Sequence, residues 1–344
     1  MHNGTSKQLF SILLPKSIIV VLPRCQNFEI SIQTKSETSY SIKMANSSSK
    51  RKAIANQKQS ITRNVERFRK LQAKLQENGR IIRLKNIKLG VLRQNFIPHH
   101  KEIPEKLLND VHTFRRISSD LKRPLFIYGS DGGLLAYRGH LNDPQILENL
   151  TSSLEKLPRR TNLKFRGIDR GSYSTRHYCT WSPYSKRPFI SKELQEDGEA
   201  GLEFLKLNTM LWKKLSNILG QISPGTYRQF LQYPLPKNSP RFCTAWAGCV
   251  VNLGDKDPVQ TKPHRDVKES KFGFSCVVPA GNYIGGALIL YDLRLVIELC
   301  PGEVFLFPDS LIHHANEDIS GERSSIVAFT QENFFIIGRG SINI

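Results

Sequence analysis

The chain has 344 residues, 39% hydrophobic and 23% charged, which suits one large globular domain with an appendage and excludes a wholly disordered or fibrous chain. The net charge of +20 is unevenly placed: residues 1–100 hold 19 Lys/Arg against 4 Asp/Glu, whereas residues 101–344 hold 31 against 26. Six cysteines (Cys25, Cys179, Cys243, Cys249, Cys276, Cys300) lack any C-x-x-C pairing, which argues against a disulfide frame or zinc finger and for free thiols in a reducing compartment, nuclear or cytoplasmic.

Residues 1–60 read as an N-terminal extension. The apolar run 9–22 is broken by Pro15 and Lys16 and is too short to span a membrane. It resembles a secretory signal only faintly, with no clear small-residue cleavage site. The stretch from Met44 looks like an ordinary protein start, so residues 1–43 are expected to be an upstream segment without a role in the fold. Residues 46–60 are polar and expected to be disordered, and Lys50-Arg51-Lys52 is a weak nuclear-import patch.

Residues 61–100 read as a basic helical arm. Val65, Phe68, Leu71 and Leu75 fall at helical spacing over 61–78, Arg63, Arg67, Lys70 and Lys74 line another face, and Asn78-Gly79 supplies the stop. The basic residues in 50–93 beside a nearly neutral body suggest a polyanion partner, nucleic acid first; a solvated, charged face is the alternative.

The body, residues 101–344, opens with a helix over 103–114. Strands at 124–128 and 134–138 flank the turn Gly129-Ser130-Asp131-Gly132-Gly133, which has no following helix or Lys-Ser/Thr and so is not a phosphate loop. A helix is expected over 143–154. An Arg-, Gly- and Tyr-rich loop covers 165–178, and a second amphipathic helix covers 202–219, ended by Gly220. From residue 227 the pattern changes to short apolar runs at 242–252, 273–279, 287–291, 295–299, 304–307 and 324–331. Strands after helices predict an α+β protein with a β-sandwich or jelly-roll core at about residues 225–335 and supporting N-terminal helices.

That strand-rich third carries the chemistry. His264 and Asp266 form an H-x-D pair whose side chains would share one strand face, with Arg265 turned away. His313 or His314, from a different strand, completes two imidazoles and one carboxylate, the set that holds iron(II) while leaving open positions. Strand alternation means one of these two histidines faces the metal and the other does not, and spacing alone leaves both candidates. Arg323 supplies a fork that matches a carboxylate, and Ser325, two residues on, adds a hydroxyl on the same face.

In its last third, from about residue 242 to 329, the chain resembles the Fe(II)/2-oxoglutarate-dependent dioxygenases. The resemblance is carried by Thr261-Lys262-Pro263-His264-Arg265-Asp266, Gly285-Gly286-Ala287-Leu288, Pro301-Gly302-Glu303-Val304-Phe305-Leu306-Phe307, the run from Ser310 to Asn316, and Gly321-Glu322-Arg323-Ser324-Ser325. It implies a double-stranded β-helix core, iron on His264, Asp266 and His314 with His313 as bystander, and Arg323 with Ser325 on the distal carboxylate of 2-oxoglutarate. It also implies hydroxylation coupled to conversion of 2-oxoglutarate to succinate, with ascorbate as a supporting reductant. Asn252 stands where AlkB-type enzymes place an Asn that helps hold 2-oxoglutarate; the Tyr two residues later in those enzymes is Gly254 here.

The arrangement is also similar to fungal TET/JBP-like oxygenases, which act on methylated or thymine bases in DNA, although the cysteine-rich insert of animal TET enzymes is absent. A base in nucleic acid, such as 5-methylcytosine or thymine, is therefore the expected substrate, and the loop around Arg166, Arg170 and Tyr173 could contact a strand. Hydroxylation of a protein or small molecule, or a non-catalytic chromatin-binding role for a degenerate fold, are the rival readings. The intact ligand and clamp set argues against the last.

Overall fold

The structure, a computed structural model, describes residues 19–21, 31–33, 47–98, 103–158, 173–182, 188–232, 235, 240–254 and 259–340. Residues 1–55 form one unit and 56–344 another. Described in the first are β1 (Ile19–Val21) and β2 (Ser31–Gln33), paired antiparallel, and the start of α1 (Ser47–Asn78). The second unit runs through β3 (Arg80–Leu84), α2 (Leu89–Gln94), α3 (Glu105–Asn109), β4 (Arg115–Ile117), β5 (Leu125–Gly129), β6 (Leu134–His140) and α4 (Pro144–Glu155). There follow β7 (Ser174–Trp181), β8 (Phe189–Ile190), α5 (Lys192–Asp197), α6 (Glu199–Leu207), α7 (Thr209–Ile222) and α8 (Pro224–Gln232). The chain ends with β9 (Gly248–Leu253), β10 (Ser275–Gly285), β11 (Leu288–Leu290), β12 (Leu295–Ile297), β13 (Glu303–Phe307), β14 (His314–Asn316), β15 (Ile319–Phe329) and α9 (Asn333–Gly340).

The strands form a large sheet ordered β3-β5-β6-β13-β10-β15-β9-β7-β8 and a small sheet ordered β14-β11-β12-β4. Alternation along each strand gives the large sheet two different faces. Its outer face carries Tyr178, Cys249, Val251, Cys276, Val278, Leu306 and Ile326, packed against Leu150 of α4, Phe204 of α6 and Trp212, Leu215 and Leu219 of α7. Its inner face carries Leu125, Ile127, Phe305 and Phe307, packed on Leu288, Leu290, Leu295 and Ile297 of the small sheet. Two sheets closed over one core in this way make a double-stranded β-helix, the jelly roll expected from the strand pattern.

Local chemistry explains the best-anticipated elements. The 129–133 turn joins β5 and β6: Asp131 accepts from the backbone N–H of Gly133 (3.2 Å) and of Gly90 (2.9 Å), which holds its carboxyl below the usual range and ties α2 to the hairpin. Asp143 caps α4, accepting from the N–H groups of Gln145 and Ile146, with Pro144 preset at the first helical position. Cys179, Cys243, Cys249 and Cys276 are buried free thiols. No helix among the described residues is long and apolar enough to cross a membrane.

Four expectations need correction. Residues 47–60, expected to be disordered, belong to α1; apart from Ala53-Ile54-Ala55 this stretch is polar, so it has no apolar period to reveal the helix. Residues 61–100 are not helical throughout: β3 lies within them and pairs parallel with β5, while Phe68 of α1 is buried in the main core. The helix expected over 202–219 is two helices broken at Asn208, and Gly220 lies inside α7 rather than ending it. A Cβ at Gly220 would lie 2.3 Å from the Phe68 ring, so this glycine admits α1 against α7. Finally, residues 173–178 are not loop but lead into β7, where Arg176 is buried in an ion pair with Asp197 at 2.9 Å; residues 165–172 lie outside the described residues.

Phe68→Ala should therefore lower the unfolding free energy by about 3–5 kcal/mol, read from the denaturant midpoint. Deleting residues 61–100 should yield an unfolded or aggregated product, not a trimmed body; a soluble, cooperatively folding deletion product would contradict this packing.

Candidate active site

His264, Asp266 and His314 converge: one potential ligand atom from each lies within 4.8 Å of the others. The cause is backbone pairing. His264 and His314 form an isolated antiparallel bridge, with N–H···O bonds of 3.0 and 2.8 Å in the two directions, and the Asp266 N–H donates to the Asp309 carbonyl at 3.1 Å. The H-x-D pair was expected on a regular strand; only His264 pairs, as a single bridge residue, and the second contact aims the carboxylate.

The histidine side chains are held by carbonyls. His264 Nδ1 lies 2.7 Å from the Lys262 carbonyl, and His314 Nδ1 lies 2.9 Å from that of Ile312. A carbonyl only accepts, so each Nδ1 carries the proton and each Nε2 keeps its lone pair. Both Nε2 atoms face Asp266 Oδ2, at 3.8 and 3.7 Å. These gaps are too long for hydrogen bonds but within the ~4.2 Å that two metal–ligand bonds of about 2.1 Å can span. The Phe307 ring meets His314 edge-on at 5.0 Å. His313 points elsewhere: its Nδ1 and its backbone N–H both contact Asp292 Oδ2, at 3.0 and 2.6 Å.

Across the inner face lies Arg323 on β15, 2% exposed. Three arginines rank among the largest fully buried side chains. Arg138 pairs with Glu303 at 3.2 Å and Arg176 with Asp197 at 2.9 Å. Arg323 has no carboxylate partner among the described residues. Its Nη1 donates to the Val259 carbonyl at 3.0 Å, its guanidinium sits 5.5 Å from the Tyr283 ring centre, and its buried Nε has no hydrogen-bond partner. Burial pushes its pKa below the ordinary arginine value, with Tyr283 opposing. A buried cation in this state has the chemistry to receive an anion.

Ser325 and Asn252 stand side by side. They are paired positions of β15 and β9, and Asn252 Nδ2 donates to Ser325 Oγ at 3.2 Å. Thr175 Oγ1 donates to Asn252 Oδ1 at 3.2 Å, fixing the amide's orientation. Position 254 has no room for a side chain, since a Cβ there would lie 2.1 Å from the Arg323 carbonyl oxygen, and the Gly254 N–H donates to Ser324 Oγ at 3.1 Å. Sequence reading missed Thr175 and Tyr283. Thr175 reaches the site only because β7 pairs with β9, and Tyr283 only because β10 pairs with β15.

No protein-family model and no curated protein matches this chain. Among solved structures, NgTET1 in complex with 5mC DNA superposes with a TM-score of 0.50 at 18% identity, covering 72% of this chain and 92% of that one. The chain shares that fold. A 2OG-Fe(II) oxygenase family oxidoreductase from Burkholderia pseudomallei (TM-score 0.34, 11% identity, 73% and 93% covered) and OsALKBH1 (0.35, 15%, 57% and 96%) are more distant.

Alanine at His264, Asp266 or His314 should each weaken cobalt(II) or iron(II) binding at least as much as the roughly 10–100-fold typical of losing an outer-shell partner. His313→Ala should leave it within about twofold, since that ring is turned to Asp292. Equilibrium dialysis of the full chain checks both, and a strong loss in His313→Ala would reverse the ligand assignment.

Proposed function

We propose that this chain is an Fe(II)/2-oxoglutarate-dependent dioxygenase acting on a modified base in nucleic acid. The observation that carries the reading is the pairing of an anion-seeking Arg323 with a His-Asp-His cluster on the inner face of one jelly roll. His264 Nε2, Asp266 and His314 Nε2 would hold the metal; the neutral ring nitrogens and the carboxylate are the donors that iron(II) takes. When bound, iron supplies the redox chemistry by which substrate, dioxygen and 2-oxoglutarate give hydroxylated substrate, succinate and carbon dioxide.

The protein's own contribution is positioning. The Arg323 guanidinium offers its unpaired Nε edge to the distal carboxylate, a bidentate match that a lysine would not reproduce. Ser325 Oγ, already accepting from Asn252, has its own hydrogen to donate to the same carboxylate. The carbonyls of Lys262 and Ile312 keep both imidazoles in the tautomer that presents Nε2. Phe307, 1% exposed, closes the apolar side of the cluster against water.

Two observations favour nucleic acid as substrate. NgTET1, which shares the fold, was solved with 5mC DNA. In addition, Arg63, Arg67, Lys70 and Lys74 of α1 are exposed on the side away from Phe68, Leu71 and Leu75, which pack on the core. Such a row suits phosphates.

Full-length protein with iron(II), ascorbate and 2-oxoglutarate should release succinate. His264→Ala and Asp266→Ala should abolish release, and Arg323→Ala should raise the 2-oxoglutarate requirement by at least about tenfold, as loss of a charged hydrogen-bond partner implies. Nucleoside mass spectrometry of methylated DNA after incubation should show hydroxylated bases; unchanged nucleosides despite rapid succinate release would redirect the substrate to protein or small molecule. Replacing Arg63, Arg67, Lys70 and Lys74 by Ala should flatten the log K against log[salt] slope by about 0.9 for each phosphate that is no longer neutralised.

A further inference from the structure

One row of paired residues crosses the inner face of the large sheet. It begins at Leu125, Arg138 and Phe305 on β5, β6 and β13. It continues through Val277, Val327, Val250 and His177 on β10, β15, β9 and β7. The first half is sealed by the small sheet: Leu125 is 0%, Arg138 1% and Phe305 0% exposed. The second half is only half-buried, although the neighbouring inner positions Phe329 (2%) and Ser325 (4%) are closed. The half-buried row is therefore the less covered part of this face. Its outer end, on β7, lies two residues from Thr175, whose Oγ1 bonds the Asn252 amide that in turn bonds Ser325. His177 thus flanks the side chains that would face 2-oxoglutarate.

That end carries His177 and Trp181. Their rings meet edge-on at 4.8 Å, and Trp181 in turn meets Phe329 at 6.1 Å. His177 Nδ1 lies 3.0 Å from Glu193 Oε1. The start of α5, which carries Glu193, is fastened to β7: Ser191 Oγ donates to the His177 carbonyl and the Ser191 N–H donates to the Cys179 carbonyl at 3.0 Å. A carboxylate only accepts, so Nδ1 carries a proton and Nε2 of the neutral ring is an acceptor. Nε2 makes no hydrogen bond to the described residues.

We propose that His177, oriented by Glu193, accepts a hydrogen bond from the edge of the substrate base, and so selects an amino-bearing base of the cytosine or adenine type over thymine. The inference rests on the nucleic-acid dioxygenase reading and narrows it. Cytosine presents an exocyclic amino donor where thymine presents a carbonyl. An acceptor facing a carbonyl leaves both groups unsatisfied, and a site built around one hydrogen bond rejects the analogue that lacks it.

The test uses single-stranded oligonucleotides that differ at one base, 5-methylcytosine or thymine, bound to the full chain and followed by fluorescence anisotropy. The 5-methylcytosine strand should bind roughly tenfold tighter, the size of one buried hydrogen bond. His177→Ala should erase the preference, His177→Gln, which retains an acceptor, should keep part of it, and cobalt(II) affinity should stay unchanged in both. Equal affinity for the two strands, a preference that survives His177→Ala, or loss of metal binding in that variant would each overturn the proposal. Succinate release, measured separately on the unaltered protein, tests the underlying reading: its absence removes the oxygenase assignment, whereas a missing base preference removes only the role given to His177.

Discussion

A buried positive charge with no carboxylate partner among the described residues organises the candidate site. Arg323 is 2% exposed, and burying a guanidinium that no carboxylate neutralises costs several kcal/mol. The same fold holds two other buried arginines and gives each a carboxylate, Glu303 for Arg138 and Asp197 for Arg176. Those two fasten elements together. At Arg323 a carbonyl and an aromatic face orient the fork but do not neutralise it. An anion bound beside it would recover that cost, so the same desolvation that depresses the arginine's pKa would also provide binding energy.

Placing that charge opposite the histidines is a matter of strand register. β10 and β15, each 11 residues, pair along ten positions from Cys276–Ala328 to Gly285–Ile319, and this pairing sets Arg323 and Ser325 on the inner face. A slip of one residue would turn both toward the helices. The His-Asp-His cluster depends on different contacts, the His264–His314 bridge and the Asp266–Asp309 bond, which belong to the small-sheet side. The two halves of the site therefore come from opposite walls of the jelly roll, and closing the sheets over Phe305, Phe307, Leu288 and Leu290 brings them together. The helices on the outer face, together with Phe68 of α1 lodged against Gly220, give the large sheet a rigid back.

Short-range chemistry was legible where it is strong. The turn glycines with Asp131, the Asp143-Pro144 cap and the apolar runs that became β10, β13 and β15 each carry their own signal. Less legible were β14, only three residues long, α5 with six, and the polar half of α1, whose stability owes little to an apolar stripe. Gly220 misled because a glycine within a helix looks like a stop until the ring packed against it is seen. Within the basic segment, β3 escaped notice because a five-residue strand interrupted by arginines carries little apolar pattern of its own.

By itself, the sequence determined the kinds of donor available, two imidazoles with a carboxylate and an Arg-x-Ser pair on one strand, because residue chemistry and two-residue periodicity are local properties. It left His313 and His314 open on spacing alone. Tertiary structure decided between them, since only the partner strand and Asp292 establish which ring turns away. It also decided that Arg323 has no carboxylate partner among the described residues, that Gly254 is crowded by backbone, and that Thr175 and His177 share a sheet face with Asn252 and Ser325. These are consequences of strand pairing between residues far apart in the chain, where no local pattern reaches.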